Sequence, residues 1–174
     1  MRLFLGIFLL IVMAGCSKVE ISQYAENKPE LDIFSYFAGK TTGWGVVQNR
    51  GGKLLRQFKV TIYGSFPDEN TMVLDEDFVW SDGEESKRIW TIRKTDEGTY
   101  EGTADDVVGI AQGISSGNAL HWQYHLNLET EGSTWKIYFD DWMFLQPDQI
   151  IINRASMSKF GIHLGDITIA FSKD

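Results

Sequence analysis

Apolar residues recur at every second position through most of this chain, and this alternation limits the possible folds more than any other feature. The clearest example begins at Ala119, and its apolar members are Leu120, Trp122, Tyr124, Leu126 and Leu128. A period of two is that of a β-strand with one buried face, because successive side chains point to opposite faces. No stretch of ten residues has a convincing helical pattern, although single helical turns are expected at residues 34–37 and 156–160. We therefore predict an almost entirely β protein.

Clusters of turn residues separate the alternating stretches at short intervals. They lie at residues 49–52, 67–70, 81–83, 95–98, 115–118, 131–133 and 146–148. Short loops join antiparallel neighbours, whereas parallel strands need long crossovers. About eight to ten such strands form either a sandwich or a closed barrel, and their consecutive order favours the barrel. We predict one antiparallel up-and-down β-barrel over residues 31–174, which either fills with side chains or holds one small ligand.

The first fifteen residues predict a signal peptide, which is excluded from the fold. Arg2 precedes an apolar run over residues 3–12, which is too short for a membrane-spanning helix of about 20 residues. The only cysteine, Cys16, follows two small residues, and this arrangement resembles the bacterial lipobox. An ordinary secretory peptide is the alternative. The lipobox implies acylation of Cys16 and a polar tether over residues 16–30; Ser17 implies the periplasmic face of the outer membrane.

The net charge of −8 narrows the range of partners. Nucleic-acid binding needs a basic face, so no nucleic acid is expected. Acidity also disfavours docking on anionic lipid headgroups, so membrane attachment is expected through the acyl anchor on Cys16. No thiol remains once Cys16 is acylated, which excludes disulfides and cysteine catalysis. No cofactor is predicted, and protein partners are left open.

The stretch over residues 37–47 has two competing interpretations. Gly39-Lys40-Thr41 resembles the end of a phosphate-binding loop, but Phe34 stands where that loop needs a glycine. The loop also needs a following helix, whereas Gly43-Trp44-Gly45 leads into a strand. This triplet resembles the first-strand signature of lipocalin-like barrels, in which the tryptophan plugs the closed end. The resemblance implies a lipocalin/calycin-like barrel with Trp44 buried.

A longer series of motifs is similar to that of a known family. In chain order they are Phe37-x-Gly39, Gly43-Trp44-Gly45, Asp75-Glu76-x-Phe78, Asp82-Gly83, Arg88-x-Trp90, Asp105-x-Val107, Gly117-Asn118-Ala119-Leu120, Asp140-Asp141-Trp142-Met143 and Lys159-Phe160-Gly161. The series resembles a family of small proteobacterial lipoproteins, the domain of unknown function numbered 3833. The resemblance spans nearly the whole chain after the signal peptide. It implies an envelope lipoprotein with no established activity.

His121 and His125 suggest a metal site, but the predicted strand disfavours one. Residues four apart on a strand are about 13 Å apart, which is too far for one ion with ligand bonds of about 2 Å. Both histidines also fall on the polar face of the strand. We therefore predict no metal site, expect both histidines to be exposed, and expect Trp122 on the opposite face to be buried.

Two charged residues interrupt the apolar faces of neighbouring strands. A hairpin about Asp82-Gly83 would bring Glu76 and Arg88 together, and inside a barrel they must pair or lose solvation. The pair is either structural or part of a ligand site in which Arg88 holds an anionic group such as a fatty-acid carboxylate. Arg56 is a second candidate for that role. The aromatic candidates for the same site are Trp90, Trp122 and Tyr124.

Two pairs of acidic residues are candidates for acid–base chemistry. Asp105-Asp106 and Asp140-Asp141 can each present one carboxylate inward, because neighbours on a strand face opposite sides. Three functions stay open. The favoured one is binding of a lipid or other lipophilic molecule in a barrel cavity, and the second is a packed-shut structural or assembly role. The third is an enzyme for an acyl or isoprenoid substrate, with Glu76, Asp106 or Asp140 as general base; no catalytic residue is assigned.

Overall fold

The structure is a computed structural model that describes residues 19–130 and 132–173. Ten antiparallel strands in chain order form one closed barrel. The strands are β1 (Gly39–Asn49), β2 (Leu54–Asp68), β3 (Thr71–Trp80), β4 (Glu85–Asp96), β5 (Thr99–Thr103), β6 (Ala111–Ser116), β7 (Ala119–Thr130), β8 (Ser133–Leu145), β9 (Ile150–Lys159) and β10 (Ile162–Lys173). One α-helical turn, α1 (Ile33–Tyr36), and two 3-10 turns (Ile21–Tyr24 and Pro147–Gln149) complete it. The predicted up-and-down barrel is confirmed.

The barrel closes because its first and last strands pair. β1 pairs with β10 from Thr41 opposite Lys173 to Asn49 opposite Gly165. All ten strands take their pairing partners from residues 39–173, so the barrel is self-contained in its strand pairing. Closure removes the exposed strand edges through which open sheets aggregate.

The helical turn α1 covers one end of the barrel, which we call the closed end. Asp32 caps it by accepting a hydrogen bond of 3.0 Å from a backbone N–H two residues later. The Tyr36 hydroxyl donates to the carbonyl of Gln149 at 2.9 Å and so ties α1 to the β8–β9 connection. The Phe37 carbonyl oxygen would lie 1.8 Å from a Cβ added at Gly64. A glycine in β2 therefore lets α1 seat against the barrel, and the helical turn expected near residues 34–37 is confirmed.

Trp44 lies on the outer surface, so the prediction that it is buried at the closed end is wrong. Its side chain is 52% exposed. Gly43 and Gly45 face inward instead, where an added Cβ would overlap the rings of Phe171 and Phe58 respectively. Because side chains alternate along a strand, two inward glycines force the residue between them outward. The triplet makes room for two rings of neighbouring strands and does not supply a plug.

The end opposite α1 is the mouth of the barrel. Side chains there are exposed to solvent and also line the interior, among them Leu55, Leu128 and Trp135. The hairpin loops around this mouth include residues 81–84 and 160–161. The predicted helical turn at residues 156–160 is wrong, because β9 continues to Lys159.

Residues 19–30 lie against the outside of the barrel. Tyr24 packs against Trp142 and Phe144, with ring centroids 5.7 and 5.3 Å apart. The Leu31 N–H, just before α1, donates to the carbonyl of Gly117 in the β6–β7 turn at 2.8 Å. This part of the predicted tether therefore contacts the barrel near its closed end. The predicted signal peptide and Cys16 lie outside the described residues.

Among residues 19–130 and 132–173, no helix has the length and hydrophobicity needed to cross a bilayer.

Candidate functional site

A cavity of about 700 Å³ occupies the barrel interior. Small-molecule sites in proteins commonly have volumes of about 300–1,000 Å³. Most of the cavity wall is apolar. Representative wall residues are Val47, Phe58, Val60, Leu126, Ile137, Phe139, Met157 and Ile169. The interior thus has the size and lining of a site for a lipophilic molecule.

The barrel is hollow because most of its six tryptophans lie at its mouth or outside it. Trp90 and Trp122 are buried in the interior, as predicted for Trp122, and meet edge to face at 5.8 Å. Trp44 is exposed, Trp135 is 41% exposed at the mouth, and Trp142 packs outside against Tyr24. Two interior indoles are too few to fill a ten-strand barrel.

Besides Gln48, Arg56, Ser86 and Lys87 near the mouth, six polar side chains line this otherwise apolar cavity, and we call these six the polar cluster. They are Glu76 (β3), Arg88 (β4), Asp106 (the β5–β6 loop), Tyr124 (β7), Asp141 (β8) and Asn153 (β9). Strand register brings several of them together. Glu76 lies directly opposite Arg88 in the β3–β4 hairpin, as predicted. Asp141 lies opposite Trp122 on β7. Trp122 is two positions before Tyr124, so both face the same side of the strand.

Arg88 forms an ion pair with Asp106. The sequence predicted Glu76 as its partner, and that prediction is wrong. The Nη2 atom of Arg88 donates to Asp106 Oδ2 at 2.6 Å. β5 is short and pairs with β4 only between Thr91 and Asp96. The first half of β4 therefore faces the β5–β6 loop, which supplies Asp106. The Arg88 and Asp106 side chains are 28% and 33% exposed, so the pair is only partly desolvated.

Burial raises the pKa of two carboxyl groups in the polar cluster. For Asp141, desolvation and the nearby Asp140 raise the pKa to about 8, against the opposing effects of Arg88 and a hydrogen bond with Tyr124. For Glu76, desolvation outweighs the attraction of Arg88 and raises the pKa to about 7. Both groups therefore exchange protons near neutral pH. Carboxyl groups with such pKa values can serve as proton donors or acceptors for a bound molecule.

Two deeply buried atoms of the cluster have no hydrogen-bond partner within the described part of the chain. They are Oδ1 of Asp141, a residue that is 6% exposed, and Nδ2 of Asn153, which is 2% exposed. The two residues are diagonal neighbours, because Asp141 lies opposite Ala155 on β9. Leaving a buried polar group unpaired costs about 1–3 kcal/mol. A ligand group at this position can form both missing bonds.

Arg56 lies at the mouth and does not belong to the polar cluster. It pairs with Asp82 at 2.7 Å and Glu84 at 2.8 Å, both in the β3–β4 loop. Its guanidinium also lies 4.0 Å from the centre of the Trp80 ring. Arg56 is thus held at the rim, whereas Trp90 and Tyr124 line the interior with the cluster.

Sequence reasoning named the pair Asp140-Asp141 but chose the wrong member as the general-base candidate, and it missed Asn153. Asp140, the named general-base candidate on β8, faces outward and contacts His121, with 2.6 Å between Asp140 Oδ1 and His121 Nε2. The strand phase set by the buried Phe139 would have selected Asp141, two positions later. No comparable signal existed for Asn153, because β9 was not recognised as a strand.

The two histidines on β7 differ in exposure. His125 is exposed as expected, but the expectation for His121 is wrong: its side chain is 13% exposed and stacks on Trp142 at 4.1 Å. An outward-facing residue on a strand can still be covered by its neighbours. Over residues 19–130 and 132–173, no three His, Cys, Asp or Glu side chains are arranged to hold a metal ion.

Comparison with known proteins places the chain in one family. Residues 10–173 match the family described as "Protein of unknown function (DUF3833)". No curated protein matches the chain. The matched region contains all ten strands and the whole polar cluster. The chain therefore belongs to the DUF3833 family.

Proposed function

We propose that this protein is a lipoprotein of the bacterial cell envelope that binds one lipophilic molecule inside its barrel. Cys16 carries the acyl anchor, and the barrel lies at the periplasmic face of the outer membrane. The ligand enters through the mouth, packs its apolar part against the cavity wall and places its polar end at the polar cluster.

The observation that carries this proposal is the cavity of about 700 Å³ with a single polar cluster in an apolar wall. Apolar walls supply binding energy, and a few placed polar groups fix the orientation of the ligand. The cavity favours this function over the packed-shut structural alternative, which requires a filled interior. The anchor is supported by the lipobox ending at Cys16 and by the lipoprotein family that the motifs resemble.

The binding proposal can be tested by native mass spectrometry on residues 17–174 produced in the periplasm. These residues contain the self-contained barrel. We expect a stoichiometric non-covalent adduct, whose lipid is then extracted and identified. In Ala155→Trp the adduct should be lost, because Ala155 lines the cavity and a large ring fills it.

The matched control is Ala170→Trp, the same substitution on the outer face of β10 opposite Trp44. It should keep the adduct, and circular dichroism verifies that both variants are folded. Binding in the cavity is contradicted if the folded Ala155→Trp protein carries as much adduct as the wild type. It is also contradicted by an unmodified mass that long-chain amines, alcohols, fatty acids and phospholipids all fail to shift.

The anchor can be tested by metabolic labelling of the full chain with palmitate. We expect labelling of the wild type and its complete loss in Cys16→Ser, because the lipobox cysteine is the acylated residue. Labelling that persists in Cys16→Ser would contradict the proposed anchor and leave the barrel's ligand unaffected.

A second candidate function is acid–base catalysis on the bound molecule. It is favoured by the pKa values of Glu76 and Asp141, about 7 and 8, in an enclosed cavity. Among the acids, Asp141 is better placed than Asp140, which faces outward. The lipid extraction distinguishes the two functions. A carrier holds the same species in the wild type and in Asp141→Asn, whereas an enzyme leaves unconverted substrate in the variant.

A further inference from the structure

We infer that the polar end of the ligand is a hydrogen-bond donor without negative charge, an amine or a hydroxyl, and not a carboxylate or phosphate. This inference rests on the proposed function, because it takes the cavity to be a ligand site. It names the chemical class of molecule that the polar cluster selects.

The charges of the polar cluster oppose an anionic ligand. Within the polar cluster, the carboxyl groups of Glu76, Asp106 and Asp141 share the space with one guanidinium, that of Arg88. Two other cations line the cavity, Arg56 and Lys87, but each of them is paired with two acidic residues outside the cluster. Arg88 already donates to Asp106 at 2.6 Å. An anion would have to displace Asp106 or, once Glu76 and Asp141 are ionised, lie beside carboxylates in a poorly solvated cavity, where like charges repel strongly. These charges therefore disfavour the interpretation in which Arg88 holds a fatty-acid carboxylate.

The unpaired atoms of the cluster match a donor head. Oδ1 of Asp141 and Oδ1 of Asp106 are buried acceptors without partners within the described residues, and Nδ2 of Asn153 is a buried donor without one. A hydroxyl can donate to Asp141 and accept from Asn153, and an ammonium group can donate to Asp141 and Asp106. A carboxylate only accepts, so it leaves both acidic oxygens unpaired once Asp141 and Asp106 are ionised.

The same arrangement predicts how binding depends on pH. Asp141 and Glu76 change charge near neutral pH, with pKa values of about 8 and 7. The charged and titratable groups that act on them are Arg88, Asp106, Asp75, Asp140 and Tyr124. A cationic head favours the ionised carboxylates, so its affinity should rise as pH increases through the two pKa values. An anionic head should lose affinity over the same interval.

The test compares three probes with one ten-carbon chain: decylamine, decanol and decanoate. Binding to residues 17–174 is followed by the fluorescence of Trp90 and Trp122, which line the cavity. At pH 9, where Asp141 and Glu76 are ionised, we expect the amine or the alcohol to bind at least about tenfold more tightly than decanoate. Asp141→Asn should reduce this preference and leave only the part of the rise in amine affinity that Glu76 causes near pH 7. Asp140→Asn, the same change one position away and facing outward, should keep both.

Decanoate that binds as tightly as the other two probes would overturn the inference and leave the proposed binding function standing. If none of the three probes binds, both the inference and the proposed binding function fail. Should Asp141→Asn fail to fold, Glu76→Gln is used instead and should reduce the advantage of the amine in the same direction. An amine preference as large as that of the wild type in a folded variant of either residue would also overturn the inference.

Discussion

Replacing Ile151 with alanine should lower the free energy of unfolding by about 2–5 kcal/mol. Ile151 is fully buried on β9, lies opposite Phe171 and Leu145, and does not line the cavity. Its truncation removes apolar contacts and leaves a void that close-packed neighbours fill only in part. Urea unfolding followed by circular dichroism measures the change.

The neighbouring residue provides the control. Ile152 is 37% exposed and faces outward, so Ile152→Ala should cost less than about 1 kcal/mol. The two substitutions remove the same atoms from adjacent positions of one strand. Equal costs would contradict the register of β9, because a shift by one residue exchanges the inner and outer faces.

The stability of the protein should fall as pH rises from about 4 to 8, and Asp141 should account for much of the fall. The pKa of Asp141 is about 8 in the folded state and near 3.8 in the unfolded chain. Between these values the folded state binds more protons, so the free energy of unfolding decreases by about 1.4 kcal/mol per pH unit. Below pH 4 both states are protonated, and above pH 8 both are ionised. From pH 5 to pH 8 this group alone should cost on the order of 4 kcal/mol.

The change should be much smaller in Asp141→Asn, which has no charge to bury. Glu76, with its pKa raised to about 7, adds to the fall in the same direction and stays in that variant. Asp140→Asn should keep the wild-type profile, because Asp140 faces outward beside His121. Urea titrations at several pH values give the three profiles. Parallel profiles for the wild type and Asp141→Asn would show that Asp141 is not buried as described.

The strands could be predicted from the sequence because a barrel buries one face of each strand. The phase of β7 was clear, since the inward Leu120, Trp122 and Tyr124 alternate with polar residues. The position of Glu76 opposite Arg88 could also be predicted, because a tight hairpin fixes the register of its two strands. β9 was missed since its inward face carries Asn153 and Ala155 and gives no regular apolar signal.

The composition of the candidate site was less predictable than the fold. Asp106 reaches Arg88 only because β5 is too short to cover the first half of β4, and a shortened strand leaves no periodic signal in the sequence. Whether the barrel is hollow was equally open. The sequence does not show whether Trp44 points into the barrel or out of it. The rings of Phe58 and Phe171 on neighbouring strands decide this, because they occupy the interior beside Gly45 and Gly43.

If Cys16 carries the proposed anchor, the contact of the N-terminal segment with the barrel influences which way the protein faces. Tyr24 and Leu31 hold residues 19–31 against the outer wall and the closed end. Two residues lie between Cys16 and residue 19, so the three steps of chain between them span about 10 Å at most. An acyl chain on Cys16 would then hold the closed end towards its own bilayer and turn the mouth towards the periplasm. A molecule in the cavity would then be accessible from the periplasm. The protein would release it there to another acceptor, away from the membrane that holds the anchor.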